Sequence, residues 1–314
     1  MRKVSMIVVA LVAGRGLAAQ EPQCGTGSTP QTRAACNTMV DATKAFHPLA
    51  GMIVSGGNPV LGTAATLGGV GHLSATLRFS AIKASLPNPD SAAQSPVPSS
   101  FDGYFPAPVV EASVGLYGGQ GGHGGLLSID ALGSATLLPT GIQGMSVDPG
   151  APKVGDVALG IGYGVRVGIL GGGFPIPTVS VSVMRRHVPR VQFGDVAGGD
   201  LADFATDFDA TSWRAVAGMR IVFADVAAGI GIDHYTSAAT IHYRDIAVTR
   251  TVTLDLKNTR EVLFLNAGVA LGPGRLVGEL GFQTGTDQSF ATTFRDFDPK
   301  AGHVFWGAGL RFDF

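Results

Sequence analysis

The chain has 314 residues, 46 of them glycine, with 45% hydrophobic and only 14% charged residues and a formal net charge of −1. Glycine runs well above ordinary usage without a Gly-X-Y period, which excludes collagen, and the apolar content excludes a disordered polymer. A count of 22 Lys and Arg against 23 Asp and Glu leaves no basic footprint for nucleic acid.

Arg2 and Lys3 precede an uncharged, mostly apolar run from Val4 to Gly14, and Gly16-Leu17-Ala18-Ala19 supplies small residues before Gln20. This pattern predicts a secretory signal peptide over residues 1–19, too short to span a bilayer as a helix. Its removal takes Arg2, Lys3 and Arg15 and no acid, leaving 19 basic against 23 acidic residues. Cys24 and Cys36 are the only cysteines. In an exported chain such a pair reads as a disulfide, and closing a loop of this size contributes about 3 kcal/mol in the chain-entropy model.

Residues 20–70 form a separate N-terminal segment. Ala35, Met39, Ala42 and Phe46 recur at helical spacing, so a short amphipathic helix is expected over Thr32 to Phe46. Leu49 to Gly71 is uncharged and glycine-rich, with Gly56-Gly57-Asn58-Pro59 as a turn. Irregular backbone of this kind is tolerated at membrane depth only inside protein. The segment is therefore expected to act as a plug, lying in the mouth of the larger C-terminal region.

That region, residues 71–314, alternates with period two. In His303 to Phe314, Val304, Trp306, Ala308, Leu310, Phe312 and Phe314 face one way, and Phe305, Gly307, Gly309, Arg311 and Asp313 the other. Strands that are apolar on one face and small or charged on the other suit lipid outside and a polar lumen inside. Nine further segments share the pattern, from Leu73 to Ala81 through Leu276 to Phe282. The expected fold is all-β: a transmembrane antiparallel up-and-down β-barrel of ten strands, or twelve if part of Met52 to Leu67 joins the wall. With Phe314 at the periplasmic end, short connections at Gly272 to Arg275, Ala224-Asp225, Leu170 to Ile176 and Gly118 to Gly125 alternate with long outer ones. The outer set includes Arg185 to Ala210, His234 to Arg260 and Thr284 to Gly302.

Trp306, Leu310, Phe312 and Phe314 resemble the C-terminal assembly signal of bacterial outer-membrane barrels. An exported chain with Asn58-Pro59 in an N-terminal hatch and a Phe-terminated barrel is similar, over the hatch and barrel, to the outer-membrane long-chain fatty-acid transporter family. The resemblance implies an outer-membrane location, contact with membrane lipids and lipopolysaccharide, and delivery by the barrel-assembly machinery. The chain is shorter than that family's members, and no binding residue is carried over.

Candidate chemistry is sparse. The run Gly118 to Gly125 lacks the ending of a phosphate loop, and Gly160, Gly162 and Gly164 lie inside a strand, where they leave room in a narrow lumen. The seven histidines form no HxxxH or HExxH pair. No cofactor, metal or enzyme activity is expected, a lipid-modifying enzyme being the least favoured reading. Asp195, Asp200, Asp203, Asp207 and Asp209 cluster in one outer connection and read as a solvated face. Arg78, Arg166, Arg214, Arg220 and Arg311, with Glu111, Asp130, Glu279 and Asp313, share inward parity and are expected to line the lumen and pair across it. The expected function is a conduit for small or hydrophobic solutes with the N-terminal segment as plug. The alternative is a structural or surface-interaction barrel with a closed lumen.

Overall fold

A computed structural model describes residues 21–88, 96–120, 125–140, 145–171, 176–285, 289–295, 298 and 301–314. The expected signal peptide lies outside the described residues. Alternation produces twelve strands: β1 (Leu73–Pro87), β2 (Ser99–Tyr117), β3 (Ile129–Pro139), β4 (Met145–Val147), β5 (Lys153–Val154), β6 (Val157–Leu170), β7 (Thr178–Phe193), β8 (Ala202–Ile221), β9 (Ala224–Asp245), β10 (Val248–Leu271), β11 (Gly274–Thr284) and β12 (His303–Asp313). Ten of them form the wall. Each pairs antiparallel with its neighbours, β1 also pairs with β12, and β6 joins β7, so the sheet closes on itself. Closure leaves the ten wall strands without a free edge at membrane depth, the condition for strands to stand in lipid. Phe314 completes the β1–β12 seam by exchanging two backbone hydrogen bonds with Leu73, at 3.0 and 2.8 Å.

The two extra strands come from the connection after β3, not from Met52 to Leu67. β4 pairs with the outer end of β7 and β5 with β6. Met52 to Ser55 is helical, and residues 56–72 carry no strand.

The wall changes character along its height. On β9 the outward Val226, Ile230 and Ile232 are exposed and apolar, as are Leu263, Leu265, Val269 and Leu271 on β10. Trp213 and Trp306 sit on this outward face too. Farther from the short turns the outward positions become His234, Thr236, Lys257 and Thr259, while Tyr235, Ala239, Ile241, Val252, Leu254 and Leu256 are buried inside. The lower wall is thus apolar outside and polar inside, as lipid demands, and the upper wall is the reverse, as water demands. A bilayer crossing needs about 9–11 residues of strand, so β9 and β10, at 22 and 24 residues, project far beyond it. The expected outer loop His234 to Arg260 is therefore a long hairpin turning at residues 246–247.

The N-terminal segment runs through the interior from the outer end to the periplasmic end. Cys24 and Cys36 are bonded, with Cα atoms 5.6 Å apart. Both are fully buried with Met39 and Val40 against Ile241, Tyr243, Val252 and Leu254 of the β9–β10 hairpin. Gln23 bonds both the N–H and the carbonyl of Thr253 at 3.0 and 2.9 Å. Helix α1 (Pro30–Ser55) then descends. Thr29 caps it and forms a reciprocal pair with Thr32, and Pro30 occupies its first turn. Leu49, Met52 and Ile53 pack on Ile82, Val262, Phe264 and Phe305.

The helix extends nine residues beyond the expected end at Phe46. Pro48 removes one internal hydrogen bond, and Gly51 is a weak helix former. Packing overrides both. A Cβ at Gly51 would lie 2.5 Å from the Tyr235 ring, so only glycine brings the helix this near the wall. The helix ends at Gly56, in the left-handed region at φ +58°, a conformation that favours glycine.

Candidate functional site: a charged seam between wall and N-terminal segment

Where α1 gives way to irregular backbone, the lumen side chains close on it. Arg214 of β8 donates from Nε to the Gly57 carbonyl and from Nη2 to the Gly56 carbonyl, both at 2.7 Å. It also donates to Asp233 of β9, at 2.6 and 3.0 Å. The Tyr235 hydroxyl donates to Asp233 at 2.7 Å and accepts from Gln283 at 2.8 Å. Opposite, Glu279 of β11 accepts the N–H groups of Gly57 and Asn58 at 3.0 and 2.7 Å. Carbonyls meet a guanidinium and amides meet a carboxylate, so both signs of the peptide dipole are satisfied.

Two further ion pairs flank this clamp. Arg78 donates to the Asn58 carbonyl at 3.0 Å and lies 3.3 Å from Glu111, which also has Arg186 at 4.0 Å. Nearer the periplasm, Arg166 donates twice to Asp130, at 3.0 and 2.6 Å, while Asp130 accepts the Leu67 N–H. The glycines permit this crowding. A Cβ at Gly57 would lie 2.4 Å from Glu279, and one at Gly162 would lie 2.7 Å from the Arg186 stem.

Seven of the nine expected lumen residues are buried in the interior: Arg78, Glu111, Asp130, Arg166, Arg214, Glu279 and Arg311. Arg220 and Asp313 are not. The Arg220 side chain is 65% exposed beside Asp225, and Asp313 is 37% exposed beside Arg311 and Arg275. Both stand at the periplasmic rim, because parity gives a residue's face but not its height. Asp233 and Arg186 escaped the sequence reading. Asp233 continues the inward positions of Gly229 and Gly231, and that signal was available; Arg186 fell in a presumed loop.

At the outer end the buried Asp41 of α1 accepts the N–H groups of Ala291 and Thr292 at 3.1 and 2.6 Å and the Thr292 hydroxyl at 2.6 Å. Burial raises its pKa, and these hydrogen bonds offset part of the rise. The clustered outer acids serve the structure in a similar way. Asp203 accepts the Val196 N–H and meets His242 Nδ1 at 2.7 Å, Asp207 accepts the Ala238 N–H, and Asp209 meets His187 at 3.2 Å.

The barrel has the architecture of an outer-membrane β-barrel. No family model matches the chain, and no curated relative matches it. Among solved structures it is similar to the outer membrane protease OmpT from Escherichia coli, at 11% identity over 78% of this chain and 97% of that one, with a TM-score of 0.43. It is also similar to the translocator domain of the autotransporter NalP from Neisseria meningitidis, at 9% identity over 89% and 98%, TM-score 0.39. A third is Ail, the attachment invasion locus protein of Yersinia pestis, at 10% identity over 78% and 99%, TM-score 0.32. These are likenesses of fold.

Proposed function

We propose that the chain is a sealed barrel of the bacterial outer membrane that keeps its N-terminal segment in the lumen and presents its outer end for surface interaction. The observation that carries this reading is the clamp on Gly56, Gly57 and Asn58. Five hydrogen bonds from Arg214, Glu279 and Arg78 hold three consecutive residues. Hydrogen bonds to charged groups contribute about 1.5–3 kcal/mol each, so release of the segment must break several strong bonds at once.

Conductance in a planar bilayer tests the proposal. The full chain is expected to be silent, and a variant lacking residues 22–66 is expected to form a barrel that conducts. Steady conductance by the full chain would overturn the sealed reading in favour of the conduit. The conduit for small or hydrophobic solutes has one observation behind it, an apolar space between α1 and the upper wall, but it requires release of the clamp. The likeness to the fatty-acid transporter family adds little, since it rests on Asn58-Pro59, and here Asn58 spends its side chain on the Thr63 carbonyl at 2.7 Å.

The same proposal includes export through the periplasm behind a signal peptide, Phe314-dependent delivery by the barrel-assembly machinery, and lipid and lipopolysaccharide around the apolar belt. It includes no enzymatic step.

A further inference from the structure

Between α1 and the upper wall lies a cavity of about 190 Å³. Its lining is apolar for the most part, with Ile53, Phe105, Val188, Phe208 and Leu256 among the residues that form it. Two polar side chains in that lining each leave one polar atom without a hydrogen bond. His47 is 2% exposed, and its Nε2 makes no hydrogen bond; the Ser237 hydroxyl is likewise buried and unpaired. The other ring nitrogen, Nδ1, lies 2.8 Å from the Asn258 side-chain amide. With that N–H₂ donating to Nδ1, the neutral imidazole carries its proton on Nε2, a donor without an acceptor on a residue that lines the cavity. Burial, with Arg260 adding to it, lowers the His47 pKa to about 4, so the ring is neutral at physiological pH.

Size and polarity together define the occupant. A water claims roughly 30 Å³, and an apolar cavity of about 150 Å³ stays dry and accepts benzene. The present cavity is somewhat larger and differs by offering a hydrogen-bond donor in a greasy wall. A second cavity, of about 220 Å³, shares Thr43, Phe46 and Phe193 with the first and extends toward Met39, Leu86 and Asp203 at the outer end. The Phe46 ring, 5.8 Å from that of Phe105 and 6.1 Å from that of Phe204, stands between the two. The two cavities adjoin at these shared residues, above the clamp.

We infer that this cavity is a binding site, entered from outside past Phe46, for a small neutral molecule of single-ring aromatic size bearing one hydrogen-bond acceptor, which His47 Nε2–H and the Ser237 hydroxyl receive. The site is independent of whether the lumen conducts, because nothing need cross the clamp to reach it.

Acetophenone and ethylbenzene, nearly equal in shape and differing in the carbonyl, are the probes. Titration calorimetry on the full chain in lipid nanodiscs, with empty nanodiscs subtracted, should give one saturable site for acetophenone. Ethylbenzene should bind about three- to tenfold more weakly, the factor that one hydrogen bond supplies. Ala50→Phe and Ala107→Phe each fill the cavity and should abolish the saturable heat, while unboiled gel mobility reports an intact barrel. His47→Leu/Ser237→Ala, which removes both donors, should bring the two probes to within about twofold of each other. Equal affinity for both probes on the full chain, saturable binding retained by the filled variants, or no saturable heat at all would each overturn the proposal.

Discussion

Arg214 and Asp233 pair diagonally across the β8–β9 ladder, Arg214 standing opposite Gly231 and Asp233 opposite Ser212, with guanidinium nitrogens 2.6 and 3.0 Å from the two carboxylate oxygens and both side chains out of water. The pair does more than neutralise itself. The same guanidinium reaches the Gly56 and Gly57 carbonyls, so the wall's ion pair also holds the segment that fills the barrel. Removing one partner of a buried pair strands the other, at about 3–5 kcal/mol. Arg214→Met is therefore expected to lower stability to urea by about that amount and to admit intermittent conductance steps in a planar bilayer. The double variant Arg214→Met/Asp233→Leu should recover part of the stability without restoring the seal, because the backbone contacts remain lost. Equal losses in the single and double variants would mean that Asp233 is satisfied without its arginine.

The close approach at Gly57 gives a sharper test of packing. A methyl there would meet the Glu279 carboxylate at 2.4 Å and the Phe264 ring at 2.8 Å, whereas one at Gly133 would meet nothing within 4 Å. Gly57→Ala should cost about 2–4 kcal/mol, the range of overpacked cores and displaced hydrogen bonds. Gly133→Ala should stay within about 0.5 kcal/mol of the unaltered chain. Urea midpoints measured side by side decide it.

The lower wall was legible in the sequence because lipid enforces a single rule on the outward positions, as Val304, Trp306 and Leu310 illustrate. Above the bilayer that rule inverts. The alternation on β9 continues through Tyr235, Ala239 and Ile241 without losing parity, but the apolar face now points inward, so a search for lipid-facing strands ends near Asp233. The same limit hid Arg186 and most of the β9–β10 hairpin. The end of α1 was obscured differently, since Pro48 and Gly51 are local helix breakers and the helix continues only because Leu49, Met52 and Ile53 pack on the wall, with Gly51 against the Tyr235 ring. Neither the clamp on Gly56 to Asn58 nor the cavity beside His47 could be read from one strand at a time, because each joins residues far apart in the chain.

The path of the N-terminal segment predicts which side of the membrane residue 21 occupies. Ser28 donates from its N–H and hydroxyl to Asp245 at 2.9 and 2.8 Å, at the tip of the longest hairpin. An epitope inserted between Gln20 and Glu21 should therefore bind antibody on intact cells. Cys24→Ser/Cys36→Ser removes a cross-link of separation 12, which contributes about 3 kcal/mol in the chain-entropy model. Trypsin added outside should then cut at Arg33 far faster than in the unaltered chain, while the barrel below keeps its unboiled gel mobility. An epitope detected only after the outer membrane is permeabilised would refute the orientation.

The last prediction concerns acid. His47 packs on the Phe208 and Tyr235 rings, with centroids 5.3 and 6.4 Å away, and accepts from Asn258, whose strand neighbours Lys257 and Thr259 face water above the apolar belt. Its pKa falls from 6.5 to about 4, first through burial and then through Arg260. The unfolded chain thus binds a proton in the window between these values and the folded one does not. The stabilisation is complete above pH 6.5 and is lost as pH falls toward 4, about 3 kcal/mol at 1.36 kcal/mol per unit. His47→Gln can still accept from Asn258 but has no proton to gain. Between pH 7 and pH 4, urea unfolding of the unaltered chain should show a stability loss larger than that of the variant by about 3 kcal/mol. Identical losses would mean that the imidazole is protonated in the folded barrel, with water reaching a ring that the structure buries among aromatic side chains.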